Sequence, residues 1–176
     1  MNITGGKYNR QKIKAPDESI TRPTLSKVRM SVFNTLASIT DFEGKSFLDM
    51  YAGSGIMGLE ALSRGVERVV GIEKNRKVYN ITKSNYFQYQ KMHNLKLIFG
   101  DSLKVCSKFS EKFDIIYIDP PYYSNIYEQS LEVVKNICND VVILEHVVPV
   151  KYEDNFEILK QKKYSDKYIT FLRPIC

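Results

Sequence analysis

Asp119-Pro120-Pro121-Tyr122 directly follows a short apolar run, residues 115–118, that reads as a buried strand. Two successive prolines donate no backbone hydrogen bond, so they end the strand and stiffen the loop. Asp119 and the carbonyl of Pro120 are left as acceptors at the rim of a sheet. Two adjacent acceptors suit a substrate amino group. An exocyclic amine on guanine or adenine is a poor nucleophile, because its lone pair is delocalised into the ring. Binding its two N–H groups favours a pyramidal nitrogen whose lone pair points at an electrophile, which is positioning together with electrostatic preorganisation. Tyr122 offers a ring on which a base flipped out of its stack could rest. The plainer reading is a strand-ending turn with Asp119 as a local cap.

A second constellation lies upstream. Asp49-Met50-Tyr51-Ala52-Gly53-Ser54-Gly55 follows another apolar run and opens a helix. Its glycines let the backbone turn sharply and let a ligand approach closely. Gly53 to Gly58 also satisfies GxGxxG, and Glu73 follows about 20 residues later, where an acid binds ribose hydroxyls in dinucleotide folds. Asp49 separates two cofactor classes. An acid at the strand's end would repel a pyrophosphate, whereas it suits a cofactor that carries an ammonium and no phosphate, such as S-adenosylmethionine. The alternative is that the glycines only form a turn and Asp49 caps something local.

The chain of 176 residues suits one domain with a real core. No apolar run approaches the ~20 residues of a membrane span, and the first residues lack the apolar stretch of a secretory signal. Cys106, Cys138 and Cys176 are few, scattered and odd in number, so a disulfide framework is not expected and a reducing, cytoplasmic setting is. With no CxxC pair and only His93 and His146, no metal site is suggested. The net charge is +6, and residues 1–30 hold +5 of it: Lys7, Arg10, Lys12, Lys14, Arg22, Lys27 and Arg29 against Asp17 and Glu18. A local basic surplus is the usual footprint of phosphate binding, or else a solvated surface arm. Lys7, Arg10, Lys12, Lys14, Arg22 and Arg29 are the candidate nucleic-acid contacts.

These residues need elements to position them. Residues 1–23 are polar and hold Gly5-Gly6, Pro16 and Pro23, which predicts a basic N-terminal arm with at most short strands. Leu25, Val28, Val32, Leu36 and Ile39 recur at helical spacing, with Thr24 as N-cap and Arg29 facing away from the stripe. Strands are then predicted over 46–50, 68–72, 95–99, 115–118 and 141–144. Helices follow the first two strands, one running through Arg64 with Gly65 as its cap and one over about 76–91, and another lies near 127–138. Segments 156–159 and 168–172 read as an antiparallel pair at one edge. Strands alternating with helices predict an α/β, Rossmann-like, mainly parallel sheet with helices on both faces, filling a domain over 24–176. The glycine loop, Glu73 and Asp119 then share one edge of that sheet.

In this order the motifs resemble the class I amino-methyltransferases, and specifically the bacterial family that methylates guanine N2 in 16S ribosomal RNA. The likeness rests on Gly5-Gly6-Lys7, Arg22-Pro23-Thr24, Val28-Arg29 with Phe33-Asn34, the loop 49–55, Gly58-Leu59-Glu60-Ala61-Leu62-Ser63-Arg64-Gly65, Glu73-Lys74 and residues 119–122. It implies a seven-stranded sheet with a reversed edge strand. It implies S-adenosylmethionine as cofactor, leaving as S-adenosylhomocysteine, with contacts at Asp49, Tyr51, Gly53, Gly55 and Glu73. It adds an acidic contact near the adenine at Asp101, a residue whose spacing suits a helix N-cap equally well. Asp119, Pro120 and Tyr122 would be catalytic. The partner implied is 16S rRNA within a small-subunit assembly intermediate, met by a monomer. The chain departs from the family's usual Arg-Gly-Arg-like run, reading Asn9-Arg10-Gln11-Lys12. The competing readings are a DNA or RNA adenine-N6 methyltransferase, for which the chain leaves no separate recognition domain, and a nucleic-acid-binding module without catalysis. An NAD oxidoreductase would need hydride-transfer residues that do not stand out.

Overall fold

Seven strands form one sheet in the order β3-β2-β1-β4-β5-β7-β6. The computed structural model describes residues 1–17, 25–121, 125–152 and 154–175. The elements are α1 (Ser26–Ala37), β1 (Ser46–Asp49), α2 (Ile56–Ser63), β2 (Arg68–Glu73), α3 (Arg76–Phe87), β3 (Asn94–Phe99), α4 (Ser102–Cys106), β4 (Phe113–Ile118), α5 (Ile126–Val134), β5 (Cys138–His146), β6 (Phe156–Tyr164) and β7 (Lys167–Pro174). β1 pairs in parallel with β2 and β4, and β4 with β5, so the central strands are covered on both faces and carry Val, Ile, Leu and Phe.

β7 runs antiparallel to both β5 and β6. The reversed strand is therefore one place in from the edge, not the edge strand that the resemblance implies. The reason lies in burial. Ile169, Thr170, Phe171 and Leu172 are all buried, whereas β6 exposes Lys160, Gln161 and Lys163. A polar, lysine-bearing strand is the one a sheet tolerates at its rim.

One core layer joins Phe47, Val69, Ile115, Ile143 and Phe171 of the sheet to α1, α2 and Tyr86 of α3. The other joins Leu48, Ile72, Ile116 and Leu144 to Cys106 of α4 and Tyr127 and Leu131 of α5. Both faces are thus covered, as expected for a doubly wound sheet. α3 ends at Phe87, short of the expected 91, and α4 is a five-residue helix that no periodicity revealed. No helix among the described residues is long and apolar enough to cross a membrane.

α1 is rotated from the expected stripe. Arg29, Val32, Phe33 and Leu36 are buried, while Leu25 is 71% exposed and occupies the N-cap position. Thr24, expected there, lies outside the described residues. Arg29 thus points into the core rather than away from it. Its partner is Glu60 of α2, 3.2 Å away and also buried.

The described part of the arm folds back over α2 and α3. Ile3, Tyr8 and Ile13 belong to the core. The Lys7 N–H donates to the Ser63 carbonyl at 2.7 Å, and the Tyr8 N–H to Ser63 Oγ at 2.8 Å. These bonds tie the arm to the C-terminal end of α2, the first of them satisfying a carbonyl that lacks a helical partner. They also explain Gly6, whose φ is +73° and whose added Cβ would collide with the Ser63 carbonyl.

Candidate active site

The carboxyl ends of the parallel strands carry acids in register. Asp49 pairs with Gly71 on one side and Tyr117 on the other, and Glu73 pairs with Phe99. Asp119 follows Ile118, which pairs with Leu144, the residue before Glu145. Asp49, Glu73, Asp119 and Glu145 therefore share one edge, the place where open α/β sheets bind ligands.

Asp49 is 1% exposed, and neither carboxylate oxygen closes a hydrogen bond. Burial pushes its carboxyl up to about 7, with Glu73 and Glu145 adding to the rise while the nearby Gly58 and Tyr51 backbones oppose it. A buried carboxylate without a partner is costly, and such groups in native proteins answer to a ligand, ion or water. A cationic ligand group would meet that need.

The loop beyond it is built around Glu73. The Gly53 N–H donates to Glu73 Oε2 at 3.1 Å, and the Asn75 N–H to Oε1 at 2.7 Å. Burial raises this carboxyl too, against the pull of those backbone donors. Thr82 donates its hydroxyl to the Gly53 carbonyl. Gly53 has φ +53°, and an added Cβ would point into open space. Gly55 differs. Its N–H is already bonded to the Ala52 carbonyl at 2.7 Å, and a side chain there would run inward to 2.5 Å from the Tyr86 ring. Gly58 and Gly71 also close on the Tyr86 hydroxyl, at 2.6 and 2.9 Å from their added Cβ. The GxGxxG pattern thus serves largely to seat Tyr86. Gly55, expected at the ligand, shapes the turn from within.

Tyr51 shares a 2.8 Å hydrogen bond with Ser130 of α5, and burial holds its phenol up at about 12. Asp101 is the N-cap of α4, its Oδ1 accepting from the Lys104 N–H at 3.2 Å, and Ser102 Oγ donates to the Met50 carbonyl at 2.5 Å. The capping geometry is therefore realised, and it ties the loop after β3 to the end of β1.

Asp119 retains 23% of its side-chain exposure, and Pro120 beside it is buried. Desolvation raises the Asp119 carboxyl, Glu145 and Asp49 add to the rise, and Lys167 opposes it. Lys167 Nζ lies 3.8 Å from Asp119 Oδ1 and 2.5 Å from Glu145 Oε2. Tyr122 lies outside the described residues. Sequence reading missed Glu145, Lys167 and Tyr117. The legible signal was an acid at the end of an apolar strand, repeated at Asp49, Glu73, Asp119 and Glu145.

Among the basic candidates, Lys7, Arg10, Lys12 and Lys14 are exposed along the arm. Arg22 lies outside the described residues. Arg29 is corrected: at 2% exposure and paired with Glu60, its guanidinium belongs to the core and offers nothing to a phosphate.

A family model described as "Conserved hypothetical protein 95" matches residues 1–173. "Putative rRNA methyltransferase YlbH" of Bacillus subtilis is 30% identical over 173 residues, 97% of this chain and 91% of that protein. Ribosomal RNA small subunit methyltransferase D of Escherichia coli K12 is 29% identical over 136 residues, 77% of this chain and 67% of that one. In structure, "Putative methyltransferase yhhF from Escherichia coli" superposes with a TM-score of 0.86 at 23% identity, covering 99% of this chain and 97% of the other. An RNA methyltransferase-like protein of Pyrococcus horikoshii gives 0.75 at 19% identity over 94% of each. These neighbours share the Rossmann-like class I methyltransferase fold. With a matching model over nearly its whole length, the chain belongs to the conserved hypothetical protein 95 family, that of the bacterial 16S rRNA methyltransferases its motifs resemble.

Proposed function

We propose that the protein transfers a methyl group from S-adenosylmethionine to the exocyclic N2 amino group of a guanine in 16S rRNA. The observation that carries this is the buried, unpartnered Asp49 carboxyl sharing one sheet edge with Asp119. The relatives named for rRNA methylation, the Escherichia coli one for the small subunit, support the substrate class.

The site fits the cofactor. Asp49 supplies the missing counter-charge for an ammonium, Gly53 opens onto free space, and Glu73 stands where ribose hydroxyls would donate to its carboxylate. Tyr51 and Asp101 line the same edge. When bound, S-adenosylmethionine supplies an electrophilic methyl on a sulfonium, the S–C electron pair staying with sulfur to give S-adenosylhomocysteine. The protein's part is to present the amine. Asp119 accepts one N–H and the Pro120 carbonyl the other, which aims the lone pair. As the N–C bond forms, the nitrogen must lose a proton, and Asp119 receives it. Tyr122 stacks on the flipped guanine. Lys7, Arg10, Lys12, Lys14 and Arg22 hold phosphates of the RNA, and the substrate is a small-subunit assembly intermediate engaged by a monomer in the bacterial cytoplasm.

The test is mass spectrometry of nucleosides from 16S rRNA of a strain lacking the gene, beside methyl transfer from labelled cofactor to rRNA, assembling subunits and duplex DNA. Loss of an N2-methylguanosine, restored by the purified protein on the RNA substrates, is expected. An N6-methyladenosine lost instead, or transfer to DNA alone, overturns the guanine reading.

A further inference from the structure

Lys167 is the first residue of β7. Because β7 runs antiparallel to β5, the β6–β7 hairpin returns it to the edge where β4 and β5 end. Three carboxyl groups lie along that edge. Asp49 comes from β1, Asp119 follows β4, and Glu145 sits near the end of β5. Glu145 is 1% exposed. One of its oxygens accepts the Tyr117 hydroxyl, and the other lies 2.5 Å from Lys167 Nζ. The same ammonium lies 3.8 Å from Asp119 Oδ1. His146, the next residue of β5, takes no part: its ring nitrogens bond to the Val148 carbonyl and Thr170 Oγ1.

A buried carboxylate needs a cation, so a purely structural pair would require Lys167 at Glu145 and nothing more. The additional approach to Asp119 is what such a pair would not need. Among the described residues, the groups acting on Asp119 are Glu145 from β5, Lys167 from β7 and Asp49 from β1, with Tyr117 from its own strand joined through Glu145. Lys167 is the cation among them.

We propose that Lys167, held beside Glu145, is the positioning residue for Asp119: it holds one carboxylate oxygen in place and opposes the neighbouring acids, leaving the other oxygen to the target amine. This rests on the reading of Asp119 as the group that receives the amine's proton. A carboxyl beside a row of other carboxyls tends to stay protonated, and a protonated Asp119 could not take up the amine's proton. Glu145 shares the ammonium with Asp119, so without the Glu145 charge Lys167 is left to Asp119. The arrangement gives the two anchor residues opposite effects. Removing the cation leaves Asp119 facing two uncompensated acids, while removing the Glu145 charge leaves it facing a cation with one acid fewer.

The experiment is a titration of the Asp119 carboxyl carbon by NMR in isotope-labelled protein, assigned with Asp119→Asn, in Lys167→Met and Glu145→Gln. Lys167→Met should move the Asp119 titration up by about one pH unit and Glu145→Gln down by about the same. Lys167→Arg should restore the wild-type value. Single-turnover methylation with saturating cofactor should follow in the same order, its acid limb rising in Lys167→Met and falling in Glu145→Gln, with cofactor affinity little changed. A titration unmoved in both folded variants, or moved in one direction by both, overturns the proposal. If Lys167→Met does not fold, the downward shift in Glu145→Gln and its reversal in Glu145→Gln/Lys167→Met decide the matter. The titration requires no substrate, so a wild-type chain that methylates no RNA overturns the proposed function without obscuring this result.

Discussion

Arg29 Nε stands 3.2 Å from Glu60 Oε1, with 2% and 0% of the two side chains exposed. Arg64 pairs with the other Glu60 oxygen, and Thr4 bonds to the same carboxylate through its N–H at 2.9 Å and its hydroxyl at 2.9 Å. Arg29 also donates to the Asn2 carbonyl at 2.7 Å. This cluster clamps the arm to α1 and α2. Arg29→Met leaves part of the Glu60 charge uncompensated in the core and should cost about 3–5 kcal/mol. Arg29→Met/Glu60→Leu should recover much of that loss. Urea melts measure both. The salt dependence of RNA binding should be unchanged in Arg29→Met at temperatures where it stays folded, because the guanidinium reaches no phosphate.

The strand positions were legible because short apolar runs bounded by Gly, Pro and charge leave few alternatives. Arg29 was misread because its partner is 31 residues away, and one residue of rotation moves it from the solvent face to the core face. α4 escaped because five residues are too few to show a period. The place of β7 was hidden since strand order in a sheet is a tertiary property. Glu145 and Lys167 looked like ordinary strand ends. Only the antiparallel return of β7 brings them together, and only the fold shows that Gly6 is shaped by the Ser63 carbonyl.

As the proposed counter-charge to the cofactor's ammonium, Asp49 should make cofactor affinity depend on pH. In the ligand-free protein its carboxyl ionises at about 7. Only the carboxylate attracts an ammonium, so the proton must leave when the cofactor binds. Affinity should therefore be full above pH 7 and fall as the pH drops below it. Between pH 8 and pH 6 the dissociation constant should rise about tenfold, the consequence of one proton released. Asp49→Asn should bind weakly and flatten the profile. Calorimetry in two buffers of different ionisation enthalpy counts the proton directly, and a count of zero at pH 6 would refute the assignment.

Glycines of the same motif should separate by role. At Gly53 a valine enters open space and adopts φ +53°, at a strain of about 1–2 kcal/mol. Gly53→Val should stay folded and lose cofactor. At Gly58 a valine meets Val69 at 2.8 Å as well as Tyr86, so Gly58→Val should lose the fold itself. Melting curves beside cofactor titrations distinguish these outcomes, and normal cofactor affinity in folded Gly53→Val would count against the proposed pocket.

The exposed arm should contribute affinity rather than chemistry. Neutralising Arg10, Lys12 and Lys14 to glutamine should weaken RNA binding and reduce the slope of log affinity against log salt by roughly 0.7–0.9 for each phosphate that the arm no longer neutralises. Cofactor affinity should not change. Filter binding across a salt series reads the slope. An unaltered slope would reduce these residues to a solvated surface of the folded arm.

Asp119 should govern rate. In the proposed mechanism it bonds to the reacting nitrogen, so Asp119→Ala should lose about 10²–10³-fold in single-turnover methylation, the scale of removing one preorganised electrostatic group. Cofactor binding should persist. A turn-capping role forecasts something else: lower stability with an unchanged rate per folded molecule. Asp119→Asn divides the two further. It keeps an acceptor oxygen and the size of the side chain, yet cannot take up the amine's proton. A capping residue would be largely rescued by asparagine, whereas a proton acceptor would not. Rates at saturating cofactor and RNA, set beside melting temperatures for both variants, decide between them, and a folded Asp119→Ala protein working at the wild-type rate would remove Asp119 from the chemistry.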